Sequence, residues 1–458
     1  MDGPVADSAD GIVSDLKRGS GRIAVWGTGF IGFSTMANFA NRGVRAVGYD
    51  IDAELVDRIN DGEIPIDNLE YWLGFETGPL VEDGLMHATT DVRELFADDI
   101  VVHFLAIPTE KNGVPWDGAL RTVIDDVIDH HDFEREDPVL LIVESTLTPG
   151  MTDEVVVPTI RESEAELGHD VLIGVAPRRD WFISPDKNLR TLPRVFGGQN
   201  AETTALMERV LGIVCRNLVP AKDYEHAELV KSIENAYRHV GITLANQLSR
   251  AYPEIDMREV LRLVGTKWNI PTYYPSVGTG GYCIPLSSQY VLDGTDRPDE
   301  LSILTETIET DSEQPTVVAE AIVERGIESV AICGLAYKGD VKVDVLSPTR
   351  HLVEELQNRG VAVGVNDPYF DREYVEETTG ARAIEFPEGL FGYESVVVIA
   401  DHRKYEYMPE ERVLSALADC ELVLDNPAIW EDVSFGEGTE YSYTGGRDWL
   451  GRRSEPRQ

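Results

Sequence analysis

Lysine is scarce in this chain of 458 residues, which has nine lysines beside 31 arginines. The 82 acidic residues leave a formal net charge of −42, and this excess excludes a nucleic-acid binder, which needs a basic surface. Because the charge is spread along the chain and 42% of the residues are hydrophobic, the sequence predicts a globular protein. The composition is typical of a cytoplasm of high salt concentration, where repulsion between carboxylates is screened.

Cysteine and long apolar runs are also sparse. The four cysteines contain no C-x-x-C pair and the nine histidines show no metal-ligand spacing, so we predict neither a disulfide framework nor a metal site. The apolar runs at 138–143 and 396–400 have the length of strands, and the acidic N-terminus lacks the features of a signal peptide. We therefore predict a cytoplasmic protein with no membrane partner.

A glycine-rich turn is the most informative feature that is present. An apolar run at 23–26 leads into a G-x-G-x-x-G pattern, a helical pattern follows at 34–41, and a second apolar run ends at Asp50. Such a turn lets a pyrophosphate approach backbone amides, and an acid after the second strand accepts ribose hydroxyls, which favours NAD over NADP. The predicted NAD-binding residues of this region are Gly27, Gly29, Phe30, Ile31, Gly32 and Asp50.

Strand and helix patterns then alternate, which predicts an α/β fold with a parallel sheet. The strands at 100–107 and 139–145 end in Pro108, Thr109 and Glu144, which we expect to face the cofactor at the carboxyl edge of the sheet. A helical pattern at 226–252 has an apolar stripe, and the strand-then-helix rhythm returns from residue 329. The predicted order is a disordered extension (1–20), an NAD-binding Rossmann domain (21–215), a helical central domain that makes a homodimer (216–310), and a C-terminal Rossmann-like domain (311–458).

A thiol and several lysines are the candidate catalytic groups. Cys283 follows the glycine-rich segment 278–281, a setting that suits a nucleophile facing a bulky ligand, although a lone cysteine is more often a small buried residue. Lys231 and Asn235 lie four residues apart on one face of the middle helix, away from the apolar stripe, where they are either solvated or line a site. Because surface lysine is so rare here, Lys267 and Lys338 are also candidates for a site.

Taken in order, these pieces resemble the UDP-glucose/GDP-mannose dehydrogenase family. The resemblance covers about residues 21–435 and lies closest to the branch that oxidises UDP-N-acetylhexosamines. It is carried by G-T-G-F-I-G at 27–32, P-T at 108–109, E-S-T-L-T-P-G at 144–150, K-S-I-E-N at 231–235, G-T-G-G-Y-C-I-P at 278–285, G-L-A-Y-K at 334–338 and S-P at 347–348.

The resemblance implies oxidation of the C6 alcohol of a nucleotide sugar to a carboxylate with two NAD, for acidic sugars of surface glycans. Cys283 would be the nucleophile that carries a thiohemiacetal and then a thioester. By the same resemblance Lys231 and Asn235 would stabilise the oxyanion, Thr146 would orient the catalytic water, and Lys338 would reach the UDP-sugar. Gly280 and Lys267 are further substrate-binding candidates.

Three positions depart from the family pattern. Arg178 stands where the family has a catalytic glutamate, Ser287 replaces an aspartate, and Val345 replaces an arginine. Because arginine does not release its proton, either Glu144 or Asp180 takes over as base or the second half-reaction is impaired. A further hypothesis is that Arg178 binds an anionic substrate.

Two other functions stay open at this point. One is a simple two-electron dehydrogenase of the 6-phosphogluconate or hydroxy-acid type, which has no use for Cys283. The other is a protein that binds NAD and a nucleotide sugar but has lost the chemistry.

Overall fold

The computed structural model describes residues 4–66, 69–133, 138–180 and 187–451. These residues form two compact units. The first runs to Glu234 and includes Asp293–Asp296, and the second comprises Asn235–Leu292 and the chain from Arg297 onward. Among the described residues, no helix is both long and apolar enough to cross a membrane.

The strands, in chain order, are β1 Arg22–Trp26, β2 Arg45–Tyr49, β3 Met86–Thr89, β4 Ile100–Leu105, β5 Glu110–Lys111, β6 Val114–Pro115, β7 Val139–Val143, β8 Val171–Val175, β9 Arg194–Gly198, β10 Leu218–Pro220, β11 Ser329–Cys333, β12 Ala362–Asn366, β13 Arg382–Ala383, β14 Ser395–Val398, β15 Leu422–Asp425 and β16 Glu440–Tyr443.

The α-helices are α1 Pro4–Arg18, α2 Phe30–Ala40, α3 Ala53–Asn60, α4 Leu69–Leu73, α5 Gly78–Glu82, α6 Gly118–His130, α7 Val157–Glu162, α8 Ala201–Leu211, α9 Tyr224–Ala251, α10 Met257–Val264, α11 Ile284–Asp293, α12 Ser302–Glu324, α13 Pro348–Asn358, α14 Arg372–Thr379, α15 Arg403–Glu406 and α16 Glu410–Ala416. Short 3-10 turns occur at Val92–Phe96, Pro298–Leu301 and Glu388–Leu390, and a π-helical turn at Thr152–Val156.

The first unit is built on a sheet of eight described strands in the order β10-β9-β8-β7-β4-β1-β2-β3. All neighbouring pairs are parallel except β8 with β9. Successive residues of β1 enter opposite cores: Ile23 and Val25 pack on one face, Ala24 and Trp26 on the other. Burial on both faces explains why these strands read as continuous apolar runs.

The second unit carries a parallel sheet of six described strands in the order β13-β12-β11-β14-β15-β16. Its central strand β11 also divides its side chains between two cores, with Val330 and Ile332 on one face and Ala331 and Cys333 on the other. The predicted fold class, a Rossmann domain, a helical middle and a second Rossmann-like domain, is confirmed.

The N-terminal extension is a correction to the sequence analysis. Residues 1–20 were expected to be disordered, but Pro4–Arg18 form α1, and Ile12, Val13 and Leu16 are buried in the core of the first sheet. Their spacing is that of one helix face, which places three apolar side chains against the sheet in spite of the polar average of the segment.

Two structural elements lie across or close to predicted domain boundaries. Strand β10 lies beyond residue 215 and pairs with β9, so the first sheet extends to Pro220. Helix α12 runs from Ser302 to Glu324 through the predicted boundary at 310. Composition did not mark either position because short edge strands and continuous helices leave no change of pattern there.

Helix α9 has an unusual distribution of polarity. The predicted apolar stripe is largely exposed, with Leu229 39%, Ile233 38%, Tyr237 76% and Leu244 52% accessible. The opposite face is buried and polar, and it carries Ser232, Asn235, His239, Thr243, Asn246 and Ser249. The helix thus buries a face suited to a polar site and exposes a face suited to a partner.

Candidate active site

The glycine-rich turn between β1 and α2 has the space that a dinucleotide requires. A Cβ added at Gly32 would lie 1.8 Å from the Gly27 carbonyl oxygen, and one at Gly27, whose φ is +80°, would lie 2.5 Å from the Ala106 oxygen. A Cβ at Gly29 would meet nothing within 4 Å. Gly27 and Gly32 are therefore required by packing, while Gly29 leaves open space at the start of α2, where a pyrophosphate binds. Phe30 and Ile31 form the first turn of this helix.

Asp50 follows β2 and joins the turn. Its Oδ2 accepts hydrogen bonds from the Thr28 N–H (2.7 Å) and hydroxyl (3.0 Å), and its Oδ1 accepts one from the Asp52 N–H at 3.2 Å. A carboxylate has about four acceptor positions, so Oδ1 retains one for a ribose hydroxyl. The residues present fit NAD.

The loops after β4 and β7 meet at the carboxyl edge of the same sheet. The Thr109 hydroxyl donates to the Thr146 carbonyl oxygen at 2.7 Å, and the Ser145 hydroxyl donates to the Ile107 oxygen at 2.7 Å. Pro108 is exposed and Thr146 is partly exposed. The structure therefore brings Pro108, Thr109 and Thr146 together, as the parallel strands predict.

Arg178 lies in a buried ion cluster with Glu144, Asp180 and Arg194. Its Nε donates to Asp180 Oδ2 at 2.5 Å, Nη1 to the Thr35 hydroxyl at 2.6 Å, and Nη2 to the Ser34 hydroxyl at 2.7 Å. Its side chain is 3% exposed. Although burial opposes the charged form, the carboxylates of Asp180 and Glu144 raise the pKa of Arg178.

Glu144 is equally engaged in this cluster. Its Oε1 accepts from Arg194 Nη2 at 2.6 Å, its Oε2 accepts from the Thr35 hydroxyl at 2.6 Å, and its side chain is 1% exposed. This geometry disfavours the hypothesis that Arg178 binds an anionic substrate, because the guanidinium is already paired with carboxylates of the protein. It also places Glu144 and Asp180 as ionic partners of arginine, which disfavours either as the substitute base.

Lys231 lies near the start of α9 and is partly exposed. One turn earlier, Glu228 accepts hydrogen bonds from the Gly150 N–H (3.0 Å), the Thr152 N–H (3.0 Å) and the Thr152 hydroxyl (2.5 Å). Burial raises the pKa of Glu228 to about 7 against the opposing effect of these donors. Glu228 thereby ties the helix that carries Lys231 to the loop that follows Thr146.

Cys283 is the exposed thiol of the chain, since Cys215, Cys333 and Cys420 are buried. It immediately precedes α11, at the end of the helix where negative charge is stabilised. Asn235 is 2% exposed, and its Nδ2 donates to the Ser287 hydroxyl at 3.0 Å and approaches the Cys283 carbonyl oxygen at 3.4 Å. Ser287 thus receives the bond from Asn235 at the position of the family aspartate.

Lys338 and Tyr337 follow β11 and lie beside the cysteine loop. A Cβ added at Gly280 would lie 2.5 Å from Tyr337 Cβ, and one at Gly281 would lie 2.6 Å from its ring. Burial lowers the pKa of the Lys338 ammonium, an effect that Asp401 opposes. Burial also raises the pKa of Tyr337 to about 12.

Lys267 lies in the exposed segment after α10. The hydrogen bonds and ion pairs recorded for the described residues do not join it to Cys283 or Lys338. Its assignment to the site therefore stays a prediction.

Sequence reasoning missed several residues of these groups. Tyr337 lies inside the G-L-A-Y-K motif but was given no role of its own there. Arg194 lies in an ordinary context, and Thr35 lies inside a helix with no motif of its own. Besides Tyr337, Glu228 had a usable signal, since it is an acid one helical turn before Lys231.

The largely parallel sheet covered on both faces, the glycine turn and the acid after β2 define an NAD-binding domain. Models of the UDP-glucose/GDP-mannose dehydrogenase family match residues 21–213 (NAD binding domain), 225–312 (central domain) and 331–432 (UDP binding domain). The chain belongs to this family, and its cofactor is NAD.

Similar proteins cover nearly the whole chain. The UDP-N-acetyl-D-mannosamine dehydrogenase of Methanococcus aeolicus is 26% identical over 437 residues, which is 90% of this chain and 94% of that protein. A UDP-D-ManNAc dehydrogenase structure from Pyrococcus horikoshii is 25% identical with a TM-score of 0.79, covering 93% of this chain and 99% of that one. A UDP-glucose dehydrogenase from Pyrobaculum islandicum (22%, TM-score 0.78, 93% and 98% covered) shares the fold.

Proposed function

We propose that this enzyme oxidises the C6 alcohol of a UDP-sugar to the carboxylate, with Cys283 as the covalent nucleophile. The observation that carries the proposal is the exposed thiol at the start of α11 with the buried amide of Asn235 beside it. A simple two-electron dehydrogenase has no use for this arrangement.

The side chains divide the chemistry between them. NAD held at the glycine-rich turn and Asp50 would supply the hydride acceptor in each half-reaction. After the first, the Cys283 thiolate adds to the C6 aldehyde, a C–S bond forms, and the carbonyl electrons move to oxygen. Lys231 and Asn235 stabilise this oxyanion with an ammonium and an amide. Loss of the second hydride leaves a thioester, and water oriented by Thr146 adds to it, so that the thiolate leaves and the carboxylate is released.

Substrate binding is assigned to the second Rossmann-like domain. Its match to a UDP binding domain supports a UDP-sugar, and Lys338 supplies a half-buried cation beside the cysteine loop. Gly280 leaves the space that Tyr337 fills, and we retain Lys267 as a substrate contact. Because several relatives are named UDP-N-acetyl-D-mannosamine dehydrogenase, we propose that sugar first and UDP-glucose second, for the synthesis of acidic surface polysaccharides.

One observation favours an alternative outcome of the same chemistry. Arg178, Glu144 and Asp180 are paired with one another in the buried cluster, so none of them serves as a free base for thioester hydrolysis. Loss of that base would stall the reaction at the thioester, after both hydrides have left, and would give an enzyme that turns over once or a homologue that only binds its ligands.

The deciding experiment is the number of NADH formed per sugar consumed, measured in molar KCl with a panel of UDP-hexoses and UDP-N-acetylhexosamines. Two NADH per sugar support the full oxidation, and Cys283→Ser should then abolish it, while the buried control Cys420→Ser should not. One NADH, or a Cys283→Ser variant with full turnover, would favour the two-electron enzyme. Tight binding of NAD and the sugar with no NADH would favour a binding protein.

We further propose that the enzyme is a homodimer formed through α9 and α10. The apolar stripe of α9 is exposed, and Met257 is the buried residue of α10, whose Val260, Leu263 and Val264 are exposed. Trp268, in the segment that follows, is 93% exposed. Apolar side chains repeated at helical spacing on two elements fit a second copy of the same surface.

Light scattering in molar KCl tests the dimer. Tyr237→Glu and Leu263→Glu should each produce a monomer. Tyr407→Glu changes an equally exposed tyrosine of the second Rossmann-like domain and should leave the dimer intact. Dimers that persist in both interface variants would contradict the proposal.

We also retain a cytoplasmic location. The four cysteines are unpaired, which suits a reducing compartment. Fractionation of cells with an antibody against the native enzyme is the direct test.

A further inference from the structure

The loop from Gly334 to Asp340 carries Tyr337 and Lys338, and its backbone is held at both ends. We propose that His402 is a positioning residue that links the groups holding the two ends of this loop, and that it thereby places Lys338 and the Cys283 loop for the reaction. The role given to Lys338 and Cys283 rests on the proposed function, whereas the anchoring itself is a property of the second unit alone.

The first anchor is Asp367, which follows β12. Its Oδ2 accepts from the N–H groups of Leu335 and Ala336, both at 2.8 Å, and its Oδ1 accepts from the Tyr369 N–H at 2.9 Å. The carboxylate is buried. It fixes the start of the loop just after β11.

Asp367 occupies the place in this sheet that Asp50 occupies in the first one, after the second strand of the fold. Asp50 is partly exposed and retains an acceptor position, whereas Asp367 is buried and takes a further bond from His402. Because Asp367 is buried and its Oδ2 already accepts three bonds, it is not available to ribose hydroxyls. The acid that binds cofactor in one Rossmann domain therefore organises a loop in the other.

The second anchor is the segment Asp401–Arg403, which follows β14. Asp401 Oδ1 accepts from the Gly339 N–H at 2.8 Å. A Cβ added at Gly339 would lie 2.2 Å from the backbone carbonyl oxygen of Asp401. Arg403 pairs with the Asp340 carboxylate. The end of the loop is thus packed against this segment with no room for a side chain at 339.

His402 connects the two anchors and is fully buried. Its Nδ1 accepts from the Asp340 N–H at 3.0 Å, so Nδ1 is unprotonated and Nε2 carries the hydrogen. Nε2 lies 3.2 Å from Asp367 Oδ2, to which it donates. One imidazole therefore bonds to the end of the loop and to the carboxylate that holds its start, and its tautomer is set by the backbone.

The consequence reaches Cys283 through Tyr337. The close approach of Tyr337 to Gly280 and Gly281 means that a shift of the loop must displace the cysteine loop or leave a gap. The Gly281 N–H also donates to the carbonyl oxygen of Val345, a residue that follows the same loop, at 2.7 Å. Cys283 is two positions after Gly281 in the chain.

Three substitutions separate the two bonds of His402. His402→Asn keeps an acceptor at the position of Nδ1, His402→Gln keeps a donor at the position of Nε2, and His402→Phe keeps the ring shape and loses both bonds. For His402→Phe we expect KM for the nucleotide sugar to rise about tenfold, the effect of leaving the buried Asp340 N–H unpaired, and kcat to fall, with KM for NAD nearly unchanged. KM for the nucleotide sugar in His402→Asn and His402→Gln should lie between the values of His402→Phe and the wild type. His351→Phe, a change at a partly exposed histidine of the same domain, is the control.

The rate at which iodoacetamide alkylates Cys283 gives a second readout that needs no turnover, because the other cysteines are buried. The alkylation rate should rise in the same order as KM, and it should be fastest in His402→Phe. Unchanged KM and unchanged alkylation in folded variants would overturn the inference. If the wild type oxidises no nucleotide sugar yet alkylation responds, the proposed function fails and the anchoring stands. If the His402 variants do not fold, Asp401→Ala, at an exposed position, must raise both quantities, and its failure to do so would overturn the inference as well.

Discussion

Replacing Arg178 by methionine should destabilise the NAD-binding unit and leave substrate affinity unchanged. The guanidinium makes bonds to Asp180, Thr35 and Ser34 and lies 3.7 Å from Glu144, with 3% of its side chain exposed. Removing it leaves Asp180 without its ionic partner in a buried site. Breaking a buried ion pair in this way costs about 3–5 kcal/mol.

For a unit of this size the loss corresponds to a fall in Tm of roughly 10 °C. The assay is thermal unfolding followed by circular dichroism in molar KCl, together with KM for the nucleotide sugar. Arg179→Met is the matched control, because Arg179 pairs with Glu234 in a partly exposed bridge worth at most about 1 kcal/mol. The double variant Arg178→Met with Asp180→Asn should recover part of the loss, since it leaves no unpaired Asp180 charge.

A variant with an unchanged Tm and a raised KM would refute this reasoning. It would show that the guanidinium is not committed to its protein partners and would restore substrate binding as its role.

Three further predictions follow from the site and the composition. Burial raises the pKa of Glu228 to about 7 from 4.5, so the folded state binds an extra proton between these values and becomes less stable as pH rises through them. Glu228→Gln lacks this pH dependence. Between pH 5 and 8 its free energy of unfolding, measured by urea titration, should therefore rise relative to that of the wild type by up to about 3 kcal/mol. Gly29→Ala should weaken NAD binding, measured by calorimetry, with little change in Tm. Gly32→Ala should lower both the affinity for NAD and Tm, because its Cβ would lie 1.8 Å from the Gly27 oxygen. Equal effects of the two substitutions on Tm would contradict the assignment of Gly32 to packing and Gly29 to cofactor space. Finally, Tm should rise as KCl is raised from about 0.1 M to about 1 M, because a net charge of −42 repels itself until the salt screens it, and a flat or falling curve would count against this interpretation.

The strands, turns and helices that depend on neighbouring residues could be predicted from the sequence. The strands around Gly27, Asp50, Thr109 and Thr146 were predictable because apolar runs buried on both faces, glycine turns and acids after strands are patterns of neighbouring residues. Helix α9 was predictable for the same reason, as was the second parallel sheet.

The roles of long-range partners were not predictable. Nothing near Arg178 in the sequence shows that Thr35, Glu144 and Arg194 surround it, and the average polarity of residues 1–20 concealed the apolar face of α1. The exposed position of the α9 stripe was also hidden, because periodicity marks a face without showing which side is buried.

The sequence by itself determined the class of fold, the NAD cofactor and the candidate thiol, since each depends on residues close together in the chain. The tertiary structure decided that Arg178 is an ionic partner of Glu144 and Asp180, that Ser287 holds Asn235, and that His402 anchors the loop of Lys338. The physical reason is that burial and hydrogen bonding are settled by side chains that come together only when the sheets and helices pack.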